Sequence, residues 1–165
     1  MPQDIKNGTY DQRGDKPLKD KLIPFLSYSK IHRIAARDFA ERLKSESWID
    51  PWFDEEDILP GQLWEETVTI GVRNSHAVII LLSKEAVASE GFFQREIRLA
   101  LDTAAEKPEG TIFIIPIRLN ECDVPDMLRK YQYIDYFGGE EQKERMYTSL
   151  ISALKVRAEN LGIKV

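Results

Sequence analysis

Apolar positions fall into two patterns, short unbroken runs and stretches spaced three and four apart, which alternate along most of the chain. Leu22-Ile-Pro-Phe-Leu-Ser-Tyr28 is a run of the kind a strand shows when both its faces are covered. Ile31, Ile34, Ala35, Phe39 and Leu43 then recur at helical spacing, with Arg33, Arg37, Glu41 and Lys44 between them. Ile49 to Phe53 predicts a second strand, and Pro51, with no amide hydrogen for a ladder, predicts that it lies at a sheet edge. The missing donor of Pro24 is expected at the start of strand one or at a bulge. Asp54 to Gly61 is a loop closed by Pro60-Gly61. Trp64, Val68 and Val72, with Ile70 alongside, mark a helix, and Ala77 to Leu82 is the clearest strand. Ser89 to Ala105 predicts a helix burying Phe92, Phe93, Ile97, Ala100, Leu101 and Ala104. Thr111 to Leu119 and Tyr133 to Phe137 are strands four and five, separated by a helical turn opening at Pro125. A last helix, from about Glu141 to Leu161, carries Met146, Leu150, Leu154 and Val156 inward.

Strands alternating with helices imply right-handed crossovers and a parallel sheet with helices on both faces. Five strands of this size predict a flavodoxin-like α/β fold in the order 2-1-3-4-5. Residues 1–21 mix acids and bases without an apolar period and read as a flexible tail ahead of a single domain, 22–165.

Composition narrows the function more than the fold. The 165 residues carry 23 Lys plus Arg against 28 Asp plus Glu, a net charge of -5, which argues against a nucleic-acid binder. The single cysteine, Cys122, excludes an internal disulfide and reads as structural. His32 and His76 have no zinc spacing with it, so no metal is expected. No apolar run reaches membrane-spanning length, and the expected setting is the cytoplasm.

In an open α/β sheet the ligand crevice lies beyond the carboxyl ends of the strands, where the strand order reverses. Here that is between Tyr28-Ser29 and Leu82-Ser83, bordered by the loop 54–61 and the helix start at Phe92 to Glu96. A phospho-acceptor receiver would need acids after strand one and an Asp ending strand three, and neither is present. Gly-x-Gly-x-x-Gly and P-loop patterns are missing too. What remains is a carboxylate beside an aromatic: Phe92 and Glu96, four apart, share one helix face. Such a pair can hold a cationic heterocycle while the acid faces a developing positive charge. It can equally be a surface pair in which Glu96 meets Arg95 or Arg98. Glu56 is one acid in the run Asp54-Glu55-Glu56-Asp57, and Ile58-Leu59-Pro60 is an apolar triplet that either tucks under its loop or contacts a partner.

These residues also line up with a family. Phe25-Leu26-Ser27-Tyr28-Ser29, Trp52 to Gly61 with its Asp-x-x-Pro-Gly loop, Ser75 to Ser83, and Gly91 to Ile97 resemble a Toll/interleukin-1 receptor (TIR) domain, in the prokaryotic form found in bacterial antiviral immunity. The match runs from about Leu22 to Leu154. The resemblance implies either a signalling scaffold or an NAD-cleaving enzyme. In the enzymes a glutamate four residues after an aromatic in the third helix is catalytic, which here is Glu96 after Phe92. The family more often has Trp at the aromatic position. Glu56 stands where adaptor members carry Arg, and acid there is found in cleaving members. Tyr28, Ser29 and Ser83 fall at the implied NAD pocket. The third family box is poorly matched by Tyr133 to Tyr136. The implied activity is NAD+ glycohydrolysis to nicotinamide and ADP-ribose or a cyclic ADP-ribose, with NAD+ as substrate and no cofactor. The implied partners are other TIR domains, stacked head to tail through Ile58, Leu59, Pro60 and Gly61, and a sensor domain in the same protein. The alternative is a non-catalytic TIR interaction module. A flavodoxin-like small-ligand sensor has no supporting residue.

Overall fold

A computed structural model describes residues 20–53, 58–89 and 92–165, leaving out the side chain of Phe92. Four parallel strands, β1 (Pro24–Ser27), β2 (Ala77–Leu82), β3 (Ile114–Arg118) and β4 (Ile134–Asp135), form one sheet in that order. The helices are α1 (Arg33–Lys44), α2 (Trp64–Asn74), α3 (Lys84–Ala88), α4 (Phe92–Ala105) and α5 (Glu140–Asn160). Short 3-10 turns occur at Lys30–His32 and Asp126–Leu128. This is the flavodoxin-like α/β arrangement, with one fewer strand than the sequence predicts.

The missing strand is the second. Ile49 and Trp52 do lie parallel to β1 on its free side, but only through isolated bridges to Leu22 and Phe25. The gap traces to Pro24. Its carbonyl accepts the Trp52 amide at 2.8 Å, so its backbone faces this outer segment, where a donor is lacking and the ladder is interrupted. Leu22 exchanges bonds with Trp48 and Asp50 before the gap, and Leu26 donates to the Trp52 carbonyl after it. Pro24 is thus the first residue of β1, as its chemistry requires, and Pro51 lies in the edge segment.

Period-two alternation sorts the core into two layers. Ala77, Ile79 and Leu81 of β2 join Leu26 and pack under α1 and α5, while Val78, Ile80 and Leu82 join Phe25 under α2 and α4. All six β2 side chains are buried, which is why this strand reads as an unbroken aliphatic run. The helices present narrower faces than their apolar content suggests. α1 buries Ala36, Phe39, Ala40 and Leu43, leaving Ile31 and Ile34 67% and 70% exposed. Ile70 and Val156 are likewise exposed, and Tyr147 with Ala158 fill the α5 face beside Leu150 and Leu154. Ile31 and Ile34 share a spacing with the buried residues but lie a fraction of a turn off the stripe that meets the sheet. α3, only five residues long, is too short to show a period in the sequence.

Candidate functional site

The outer segment and β2 flank β1 on opposite sides, so the order reverses between β1 and β2 and their carboxyl ends open a crevice. Ser27, the last residue of β1, continues the Ile23–Phe25 face toward α4. On α4 the buried positions Phe93, Ile97 and Ala100 define a stripe, and Glu96 falls on it. Two polar residues therefore stand where the patterns of both elements demand apolar ones, and they answer each other. The Ser27 Oγ–H donates to Glu96 Oε2 at 2.6 Å, with the residues 1% and 6% exposed. Glu96 is not at an open rim, as its place at the start of a surface helix suggests, but beneath it. The reason is that α4 lies flat on the sheet from its first turn, bringing Phe93 and Glu96 down together.

Glu96 also lines a cavity of about 180 Å³ between α2 and α4, with Glu65, Val68, Thr69, Arg95 and Leu99. Arg95 Nη1 spans its mouth to Glu65 Oε1 at 2.9 Å, a solvent-exposed pair that contributes little to stability. Lys30, just after β1, places its ammonium 5.6 Å from the Trp64 ring centroid at the start of α2, joining the two walls of the crevice. At the adjoining carboxyl end of β2, Glu85 accepts from Asn120 Nδ2 at 3.1 Å and lies 3.5 Å from His32 Nε2. Hydrogen bonds from its own backbone amide and from Asn120 hold the Glu85 carboxyl below its ordinary value.

The remaining sequence-derived residues separate. Ser29 is buried, and its carbonyl accepts from the His32 amide at 2.8 Å. The fully buried Ser83 hydroxyl accepts from the Ala86 amide at 2.9 Å and caps α3, so it is spent on the backbone. The Tyr28 ring lies 5.2 Å from that of Phe53 and packs with the opposite core layer from Glu96. Ile58 is half buried against the α2–α4 layer, whereas Leu59 is 55% exposed. Leu59, Pro60, Gly61 and Gln62 form a turn: the Gln62 amide donates to the Leu59 carbonyl, and Gly61 takes φ +91°, the left-handed value a type II turn needs after proline. Glu56 and the Phe92 side chain lie outside the described residues. Burial pushes the Cys122 thiol up, which keeps it protonated and unreactive. Sequence reasoning passed over Ser27, Lys30 and Trp64 as site residues. The one available signal was Ser27 itself, a hydroxyl at a strand position whose alternation calls for an apolar side chain.

A parallel sheet whose order reverses between β1 and β2, with helices on both faces, defines an α/β domain of the flavodoxin-like class. A family model described as TIR domain matches residues 25–151, and the chain belongs to the TIR domain family. Among solved structures it is similar to a prokaryotic SEFIR domain, at 18% identity and TM-score 0.61, covering 81% of this chain and 98% of that one. The TIR domain of the Toll-related receptor TRR-2 from Hydra magnipapillata shares 18% identity at TM-score 0.66, covering 80% and 97%. A metazoan TIR-STING receptor from C. gigas, solved in complex with 2',3'-cGAMP, shares 20% identity at TM-score 0.59. That match covers 74% of this chain, which spans only 37% of the receptor's length. No curated protein matches the chain. Among the described residues no helix is long and apolar enough to cross a membrane.

Proposed function

We propose that this TIR domain cleaves the nicotinamide–ribose bond of NAD+, with Glu96 as the catalytic carboxylate. The observation that carries the reading is the Ser27–Glu96 hydrogen bond, which fixes a buried carboxylate at the crevice between β1 and β2. The bond to be broken is N-glycosidic, and its leaving group is already cationic, so no acid is needed to protonate it. Cleavage passes through an oxocarbenium-like state. A fixed anion in a water-poor site stabilises that charge without reorganising when it forms. Glu96 would accept from the ribose hydroxyls, with Ser27 holding its Oε2 in place. Phe92 would stack on the nicotinamide and Ser29 and Glu56 would border the binding site, while Tyr28, packed in the opposite layer, and Ser83, bound to the Ala86 amide, would shape it from behind. Release to water yields ADP-ribose, and attack by the adenine ring yields a cyclic product.

The exposed turn at Leu59 supports a second element of the proposal, that the domain works when self-associated. An apolar tip in water invites a partner. A head-to-tail contact through Ile58, Leu59, Pro60 and Gly61 would bring one copy's loop to its neighbour's crevice and extend into a filament. The test is nicotinamide release from concentrated or artificially clustered protein, wild type beside Glu96→Gln. Release that depends on Glu96 and rises with clustering supports the enzyme. Clustering without any release assigns the domain instead to a non-catalytic interaction module.

A further inference from the structure

The opposite end of the sheet has the opposite chemistry. Arg157, in the last turns of α5, is 8% exposed, and its Nε–H donates to the His76 carbonyl at 2.7 Å, just before β2. That bond uses one of the five N–H groups of the guanidinium. Its other nitrogens have no partner, and no carboxylate lies within ion-pair distance of Arg157 among the described residues. His76 Nδ1 accepts the Ile23 amide at 2.9 Å, so the neutral ring carries its hydrogen on Nε2 and is a donor there. Lys107, following α4, lays its ammonium 5.2 Å from the Phe113 ring centroid, beside the entry of β3, and has no carboxylate partner among the described residues either. The Val78 amide donates to the Phe113 carbonyl at 2.6 Å, so the β3 entry beside Lys107 adjoins the start of β2; the imidazole titrates at about 4, lowered by burial first and then by the charges of Arg157 and Lys107.

A guanidinium, an ammonium and an imidazole N–H thus stand at one end of the sheet without a carboxylate partner among the described residues, in a chain whose net charge is -5. Burial disfavours the charged guanidinium and lowers its pKa, while its unbonded nitrogens are not sealed from solvent and so stay open to an anionic ligand. We propose that Arg157, Lys107 and the Nε2–H of His76 form a binding site for a phosphate-type oxyanion at the amino-terminal end of the sheet, remote from Glu96. The planar guanidinium fork suits two oxygens of such a group, the ammonium supplies a second positive charge, and the imidazole supplies a neutral donor. The proposal does not depend on NAD+ cleavage.

The test is titration of the intact chain with inorganic phosphate at pH 7 and constant ionic strength, read by the side-chain nitrogen resonances of His76 and Arg157. Saturable shifts with a dissociation constant in the millimolar range or tighter are expected, and sodium chloride should not reproduce them. Lys107→Ala, a change outside the core, should weaken binding roughly tenfold while the fold persists. Arg157→Met, which keeps the aliphatic bulk, should abolish it. A repeat with adenosine monophosphate identifies the source: tighter binding than inorganic phosphate points to a phosphate ester, equal or weaker binding to the free ion. Shifts that never saturate, that chloride matches, or that survive unchanged in Lys107→Ala overturn the site.

Discussion

The two ends of the sheet bury ionisable groups in contrasting ways. At the carboxyl end Glu96 is met by a hydroxyl, Ser27, on the facing strand. At the amino end Arg157 and His76 meet backbone groups, a carbonyl and an amide, and no acid among the described residues. A neutral hydroxyl satisfies one lone pair of a carboxylate without cancelling its charge, which is what the proposed catalytic role asks of Glu96. A carbonyl does the same for one N–H of a guanidinium. The protein fixes a carboxyl group where β1 and β2 end, and where β2 begins it holds a guanidinium that has no acid partner among the described residues. Arg118, by contrast with Arg157, is neutralised by a bidentate pair with Asp135 at 2.6 and 2.8 Å, and that pair is structural.

The largest expected effect comes from erasing the negative end. Glu96→Gln keeps an acceptor for Ser27 and should keep the fold, yet lower NAD+ cleavage by at least about 10²–10³-fold, as loss of one preorganised electrostatic group does. Nicotinamide release and a melting curve on the same sample check both halves, and undiminished release from the folded variant would falsify the assignment.

Next is the positive end, read through pH. His76 titrates at about 4 when folded against 6.5 when unfolded, so between those values the unfolded chain binds the extra proton. The stabilisation is complete above pH 6.5 and is lost as pH falls toward 4, a change of about 3 kcal/mol at 1.36 per unit. Denaturant melts across this window should show a slope that His76→Gln flattens.

A smaller effect probes the wall of the crevice. A Cβ on Gly71 of α2 would stand 3.0 Å from Trp52 Cε2 and 3.1 Å from Phe25 Cε2, two rings stacked at 4.7 Å. Gly71→Ala should therefore cost about 1–3 kcal/mol by overpacking, despite the better helix propensity of alanine. A gain in melting temperature would show that α2 can back away from the sheet.

Ser27→Ala separates holding Glu96 from being Glu96. Removing the 2.6 Å bond should lower kcat several-fold with little change in KM, because the carboxylate loses its orientation and not its charge. An unchanged kcat reduces Ser27 to packing. Smallest in stability is Leu59→Asp at the exposed turn, within about 0.5 kcal/mol of wild type. It should nevertheless abolish any rise of specific activity with concentration, and a rise that persists removes Leu59 from the self-association surface.

Much of this architecture was written in one dimension. Hydrophobic runs and helical spacing specify β2 to the residue and place α2, α4 and α5 nearly so, because a strand covered on both faces admits no polar position and a helix admits few on its inner side. The proline chemistry was legible in part: Pro51 marked the edge, and Pro24 was expected at a strand start or a bulge, of which the structure has the first. Spacing also put Phe92 and Glu96 on one helix face, and the family motifs pointed to the same glutamate. What periodicity could not say is which part of a broad apolar face meets the sheet, so Ile31 and Ile34 read as core and stand in solvent. Nor could it say that Pro24 would break the outer ladder, since that depends on which neighbour its backbone faces. The Ser27–Glu96 bond joins residues 69 apart, and the Arg157–His76 bond residues 81 apart. A buried ion is defined by what lies across from it, and only the folding of β1 against α4, and of α5 against the start of β2, decided that.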